Sequence, residues 1–197
     1  EPTDDEPEEE EVISFELDLE SGYEAYGTGY RAPSVDVDGD IVMVSGLVEL
    51  SSGSASDWNV GDVIATLPAE YAPEDELIFT LNQHNKSARV NVLSSGDIVF
   101  GEGDPDYAWL SLTGITYSLD TGDELDLTDE FAGYGGAYRQ PSVTTDGDIV
   151  MISGLVKTAT GYANDWYVGD VIATLPAELA PEDELIFTLN QHNKSAR

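Results

Sequence analysis

Apolar and polar residues alternate along most of this chain with a period of two rather than 3.6. Leu77, Phe79 and Leu81 take turns with Ile78, Thr80 and Asn82. Ala88, Val90 and Val92 take turns with Arg89 and Asn91, while Val63, Ala65 and Leu67 fall on one side. Successive side chains of a strand point to opposite faces, so each run predicts a strand with one face in a core. Ile41-Val42-Met43-Val44 is apolar on both faces, the pattern of a central strand covered on both sides. Between the runs stand Ser95-Gly96, the Pro73-Glu74-Asp75-Glu76 stretch and the Asn85-Lys86-Ser87 loop, turn chemistry at the spacing of a sandwich. No segment carries a convincing helical period. The pattern predicts an all-β fold of antiparallel β-sandwich, jelly-roll-like units of roughly 100 residues each.

The units are tandem. Tyr30-Arg31 returns as Tyr138-Arg139, Asp57-Trp58 as Asp165-Trp166, and Asn82 to Ser87 as Asn190 to Ser195, at a constant offset of 108 residues. The register holds back to Leu17-Asp18-Leu19 against Leu125-Asp126-Leu127. About four in five positions from Tyr30 to Arg89 are identical in the second copy, the mark of a recent duplication. The expected organisation is an acidic linker or tail over 1–12, a first module over 13–120 and a second over 121–197. This second copy is incomplete, because nothing matches Val90 to about Leu119. A sheet without those segments exposes apolar surface and unpaired edges. The expectation is that the natural chain continues, with strands from another chain as the alternative.

Charge changes the picture next. The chain has 40 Asp and Glu against 7 Lys and Arg, a formal net charge of -33, yet 41% of its residues are hydrophobic. Disordered chains combine high charge with low hydrophobicity, and this one does not. Like charges at this density destabilise a compact state in dilute salt, whereas in molar salt the Debye length falls to about 3 Å and screens them. The composition resembles that of proteins from extreme halophiles. Nucleic acid is not an expected partner, since no basic patch exists to meet phosphates. Cysteine is absent, which excludes disulfides and thiolate metal sites, and no stretch is long and apolar enough for a membrane helix.

Several residues carry candidate chemistry. Asp36, Asp38 and Asp40 cluster as hard-cation ligands do, but Asp38-Gly39-Asp40 between strand-like runs reads first as a hairpin turn. Cofactors are not expected beyond loosely held calcium, magnesium, sodium or potassium. Tyr23, Tyr26 and Tyr30, matched in part by Tyr134 and Tyr138, are candidates for sugar or protein contact, with burial over the sandwich end as the alternative. The loop after Ser51 differs most between the copies. It places Asn59, Tyr162 and Tyr167 beside the tryptophans Trp58 and Trp166, and loops on a rigid scaffold are where ligands bind. Asn85 and Asn193 head glycosylation sequons. His84 and His192 lack partners nearby in sequence and read as hairpin-loop residues. No nucleophile elbow or Ser-His-Asp ordering stands out, so no enzyme is expected.

Taken in order, Tyr30-Arg31-x-Pro33, Asp38-Gly39-Asp40-x-Val42, Gly46-Leu47-Val48, Val63 to Ala69, Pro73, Phe79, Arg89-Val90-x-Val92 and Trp109-x-Ser111-Leu112-x-Gly114-Ile115 form an extended pattern. The pattern resembles a small β domain of tail-fibre and minor tail proteins of tailed viruses. It covers nearly all of residues 23 to 117 and, cut short, 131 to 197. The resemblance implies an extracellular virion component that contacts the host surface, assembled as a homo-oligomer, a trimer, with other virion proteins. Its receptor would be a host surface glycan or S-layer. With the acidic composition, the implied host is a halophilic archaeon. A capsid turret or decoration protein, and a secreted cell-surface adhesin or carbohydrate-binding module, are the alternative readings.

Overall fold

A computed structural model describes residues 12–103, 106–191 and 194–196. They form antiparallel sheets joined by turns, with helical geometry confined to single 3-10 turns such as Ala55–Asp57 and Ala69–Tyr71. The first copy contributes eleven strands: β1 (Ile13–Glu16), β2 (Tyr23–Ala25), β3 (Ser34–Asp38), β4 (Ile41–Ser45), β5 (Leu47–Leu50), β6 (Val63–Thr66), β7 (Leu77–Gln83), β8 (Lys86–Val92), β9 (Asp97–Glu102), β10 (Trp109–Ser111) and β11 (Ile115–Ser118). Three sheets result, in the orders β1-β3-β4-β11, β10-β5-β2 and β6-β9-β8-β7.

The alternation read from the sequence places the core. Val35, Val37, Val42, Val44, Ile115 and Tyr117 from one four-stranded sheet meet Ile64, Leu81, Val90, Val92, Ile98 and Phe100 from the other, with Val48 and Leu110 closing the layer between them. Each fully buried Val, Leu or Ile is worth roughly 1.5–3 kcal/mol against exposure. As expected, β4 is central, flanked by β3 and β11. The Asp38-Gly39-Asp40 segment is the β3–β4 turn, with Gly39 at φ 52°. One expectation needs correction. A register shift between Val63 and Ala65 leaves Val63 half-buried and buries Ile64 and Ala65 side by side. A bulge sets two residues opposite one, so strict alternation fails there. Gly46 marks a close approach: at φ 113°, a Cβ would lie 2.6 Å from the Ala32 carbonyl oxygen.

The second copy repeats the elements at the same offset: β12 (Asp123–Glu124), β13 (Asp126–Leu127), β14 (Phe131–Gly133), β15 (Ser142–Asp146), β16 (Ile149–Ser153), β17 (Val156–Thr158), β18 (Ala173–Thr174), β19 (Leu189–Gln191) and β20 (Lys194–Ala196). Its sheets are smaller, β12-β15-β16 with the pairs β13-β18, β14-β17 and β19-β20. The strands that cover the core of the first copy, β9 to β11, have no counterpart among the described residues here. Equivalent side chains therefore differ in exposure: Val42 is fully buried while Val150 is 40% exposed, and Leu77 is 5% exposed against 59% for Leu185.

Candidate functional site: an aromatic groove on the first copy

The hairpin of β7 and β8 pairs Gln83 with Lys86, leaving a two-residue turn of His84 and Asn85. His84 sits at φ 60°, a left-handed conformation that usually belongs to glycine and costs about 1–3 kcal/mol elsewhere. Its carbonyl accepts a hydrogen bond from Asn82 Nδ2 at 2.9 Å. The imidazole stacks on Tyr107 with ring centroids 4.1 Å apart and 22° between planes, and meets the Trp109 indole edge-on at 5.9 Å.

The loop bearing Tyr107 is fixed from beneath. Its carbonyl accepts from Trp58 Nε1 at 3.0 Å and from Gln83 Nε2 at 3.1 Å. Trp58 itself stacks on Phe100 at 4.6 Å. The opposite wall comes from the Gly-rich loop after β2. The Tyr26 amide donates to the Leu47 carbonyl at 3.0 Å, and its ring packs against Tyr30 at 5.1 Å and Trp109 at 6.2 Å. Together with Ser111, these groups enclose an open groove of about 520 Å³. Among the described residues no carboxylate lines it, although the chain carries 40 acidic residues. Flat aromatic faces flanked by an amide, a hydroxyl and an imidazole offer stacking and hydrogen bonds to an uncharged, hydroxyl-rich ligand.

The residues singled out from sequence divide. Tyr26 and Tyr30 line the groove, whereas Tyr23 and Trp58 pack against the core, 5.4 Å apart. Burial, and then the nearby Asp62 carboxylate, push the Tyr23 phenol up to about 12. Asn59 builds a turn: its amide and Nδ2 both donate to Asp62 Oδ2, at 3.1 and 3.2 Å. In the second copy Tyr134 and Tyr138 meet edge to face at 5.3 Å, with Lys157 Nζ 5.7 Å from the Tyr134 ring. Trp166 packs on Phe131, and Tyr162 and Tyr167 are about 70% exposed.

Asp36 gives its carboxylate to Ser14 and Arg31, each at 2.6 Å, while Asp38 and Asp40 are exposed at the turn. Among the described residues no three His, Asp or Glu side chains are grouped to hold a metal ion. Asn85 is exposed at the hairpin tip; His192 and Asn193 lie outside the described residues. Sequence reasoning passed over Asn82, His84, Tyr107 and Ser111 as contact residues, and took Trp109 only as part of a family pattern. The one local signal was Tyr107-x-Trp109, two aromatics on one side of an extended segment.

No protein-family model matches the chain, and no curated protein matches it. Among solved structures it is similar to the receptor-binding protein (gp15) of Listeria phage PSA, at 27% identity and a TM-score of 0.45. That likeness covers 55% of this chain and 66% of the phage protein, so the chain spans just under two thirds of that protein's length.

Proposed function

We propose that this chain is a host-attachment module of a viral tail fibre or spike, carried on the outside of the virion, and that it binds a neutral surface glycan rather than catalysing a reaction. The observation that carries this reading is the groove of Tyr26, Tyr107, Trp109 and His84, an aromatic surface with no carboxylate among its described lining residues on a strongly acidic molecule. The ordered sequence pattern shared with tail-fibre β domains supports the viral setting. The charge of -33 supports a host living in concentrated salt, a halophilic archaeon. Weak sites of this kind gain strength by repetition, since linked sites bind at high effective concentration, and assembly as a trimer with other virion proteins would supply that repetition.

The test is a titration in molar salt with polysaccharide released from halophile cell envelopes, followed calorimetrically. Trp109→Ala is expected to weaken binding roughly thirtyfold, as loss of about 2 kcal/mol at an aromatic anchor does. Tyr167→Ala on the second copy should leave it unchanged. Equal affinity of the wild type and Trp109→Ala would refute the groove as the site.

A further inference from the structure

The Tyr-Arg pair recurs in both copies, in loops that differ at Thr28/Gly136, Gly29/Ala137 and Ala32/Gln140, and its arginine ends in opposite surroundings. In the first copy Arg31 stays on its own sheet. Its Nη2 bonds Asp36 Oδ2 at 2.6 Å, its Nε donates to Ser34 Oγ at 3.0 Å, and its side chain remains 58% exposed. Ser14 completes the cluster by donating to the other Asp36 oxygen.

In the second copy Thr144 stands in place of Asp36 and Gly122 in place of Ser14. No carboxylate holds the arginine at home. Arg139 is instead 2% exposed, and its Nη1 donates to the Ser118 carbonyl of the first copy at 2.9 Å. The backbone follows it. The Glu76 amide donates to Ala137 O at 2.8 Å and the Arg139 amide donates to Glu76 O at 3.1 Å, a parallel bridge between Glu76 and Tyr138. Burial disfavours the charged guanidinium, while the carboxylates of Asp75, then Glu74 and Asp120, act to keep it charged. Gly122 lies at φ 71°, and a Cβ there would stand 2.3 Å from the Val143 carbonyl oxygen and 2.4 Å from Thr144 Cγ2. A serine does not fit there in this arrangement.

We propose that the Glu74–Glu76 turn, with Tyr117 and Ser118, is a docking surface for the tyrosine-arginine loop of the copy that follows in the same chain. The residue five places after that arginine selects the outcome: aspartate keeps the loop on its own sheet, and threonine releases it to dock. The docked guanidinium leaves Nε and Nη2 without hydrogen-bond partners. Such a buried cation fixes geometry better than it adds stability. Its role is therefore to set the orientation of one copy on the other.

The chain has no cysteine, so spin labels at Ser94→Cys and Ala163→Cys would report the distance between copies cleanly, in molar salt. A narrow distribution is expected for the otherwise unaltered chain. Thr144→Asp should broaden it by returning Arg139 to its own sheet, and Arg139→Met should broaden it with the unfolding midpoint held or raised. If Thr144→Asp fails to fold, Arg139→Met decides alone. A broad distribution in the unaltered chain, or a narrow one that survives Arg139→Met, overturns the proposal.

Discussion

Asp36 shows how far one side chain's role depends on residues distant in sequence. The Ser14 hydroxyl above all holds its carboxyl below the ordinary carboxylate range; burial opposes it, and the Arg31 guanidinium adds to the lowering. A depressed folded-state pKa gives stability that is present above the unfolded value of about 3.9 and is lost as pH falls through the folded one. The difference in unfolding free energy between wild type and Asp36→Asn should therefore be about 0.5–1 kcal/mol near neutrality, as for an exposed pair. It should shrink below about pH 4, as followed by denaturant titration at low salt. A constant difference from pH 7 to pH 2 would rule out this account. In the sequence, Asp36 reads with its neighbours Asp38 and Asp40 as a turn or a cation cluster. Ser14 lies 22 residues away, and only the pairing of β1 with β3 sets it opposite Asp36. The groove was half legible for the same reason. Tyr26 and Tyr30 were visible as one loop, whereas Asn82, His84, Tyr107 and Trp109 converge only once β7 and β10 lie side by side.

At the level of elements, the period of two located β7 and β8, because each has one face in a core and simple alternation is enough to reveal it, while the run Ile41 to Val44, apolar on both faces, located β4. What it could not show was the bulge in β6, where an extra residue breaks the alternation without changing composition. It also could not show that β10 serves two ends: Leu110 is fully buried, while Trp109 and Ser111 on its other face line the groove. Leu110→Ala should cost about 2–5 kcal/mol, the range for large-to-small changes in a packed core. Because β10 is short and pairs only with β5, the same variant should loosen the groove. Its affinity for the proposed glycan ligand should fall even under conditions where it remains folded, which parallel chemical-denaturation and binding curves would show.

The whole molecule is governed by charge. With 7 basic residues against 40 acidic ones, most carboxylates have no cation to pair with, unlike Asp36, which pairs with Arg31. Screening should therefore stabilise the fold. Raising salt from 0.1 M to 2 M should lift the thermal midpoint by roughly 10 °C, equivalent to about 3 kcal/mol for a chain of this size. A midpoint that stays level or falls would contradict a fold adapted to brine.

Among the described residues nothing covers Ile149, Ile152, Leu185, Phe187 and Leu189, each more than half exposed, and wherever that strip stays bare, high salt has a second edge. Negative surfaces keep separate molecules at a distance, and the ions that quiet repulsion inside one molecule also quiet it between two. Salts excluded from protein surfaces also strengthen apolar adhesion. Conformational and colloidal durability then pull apart: the medium that best preserves each individual sandwich is also the one in which greasy flanks on neighbouring molecules find each other most readily.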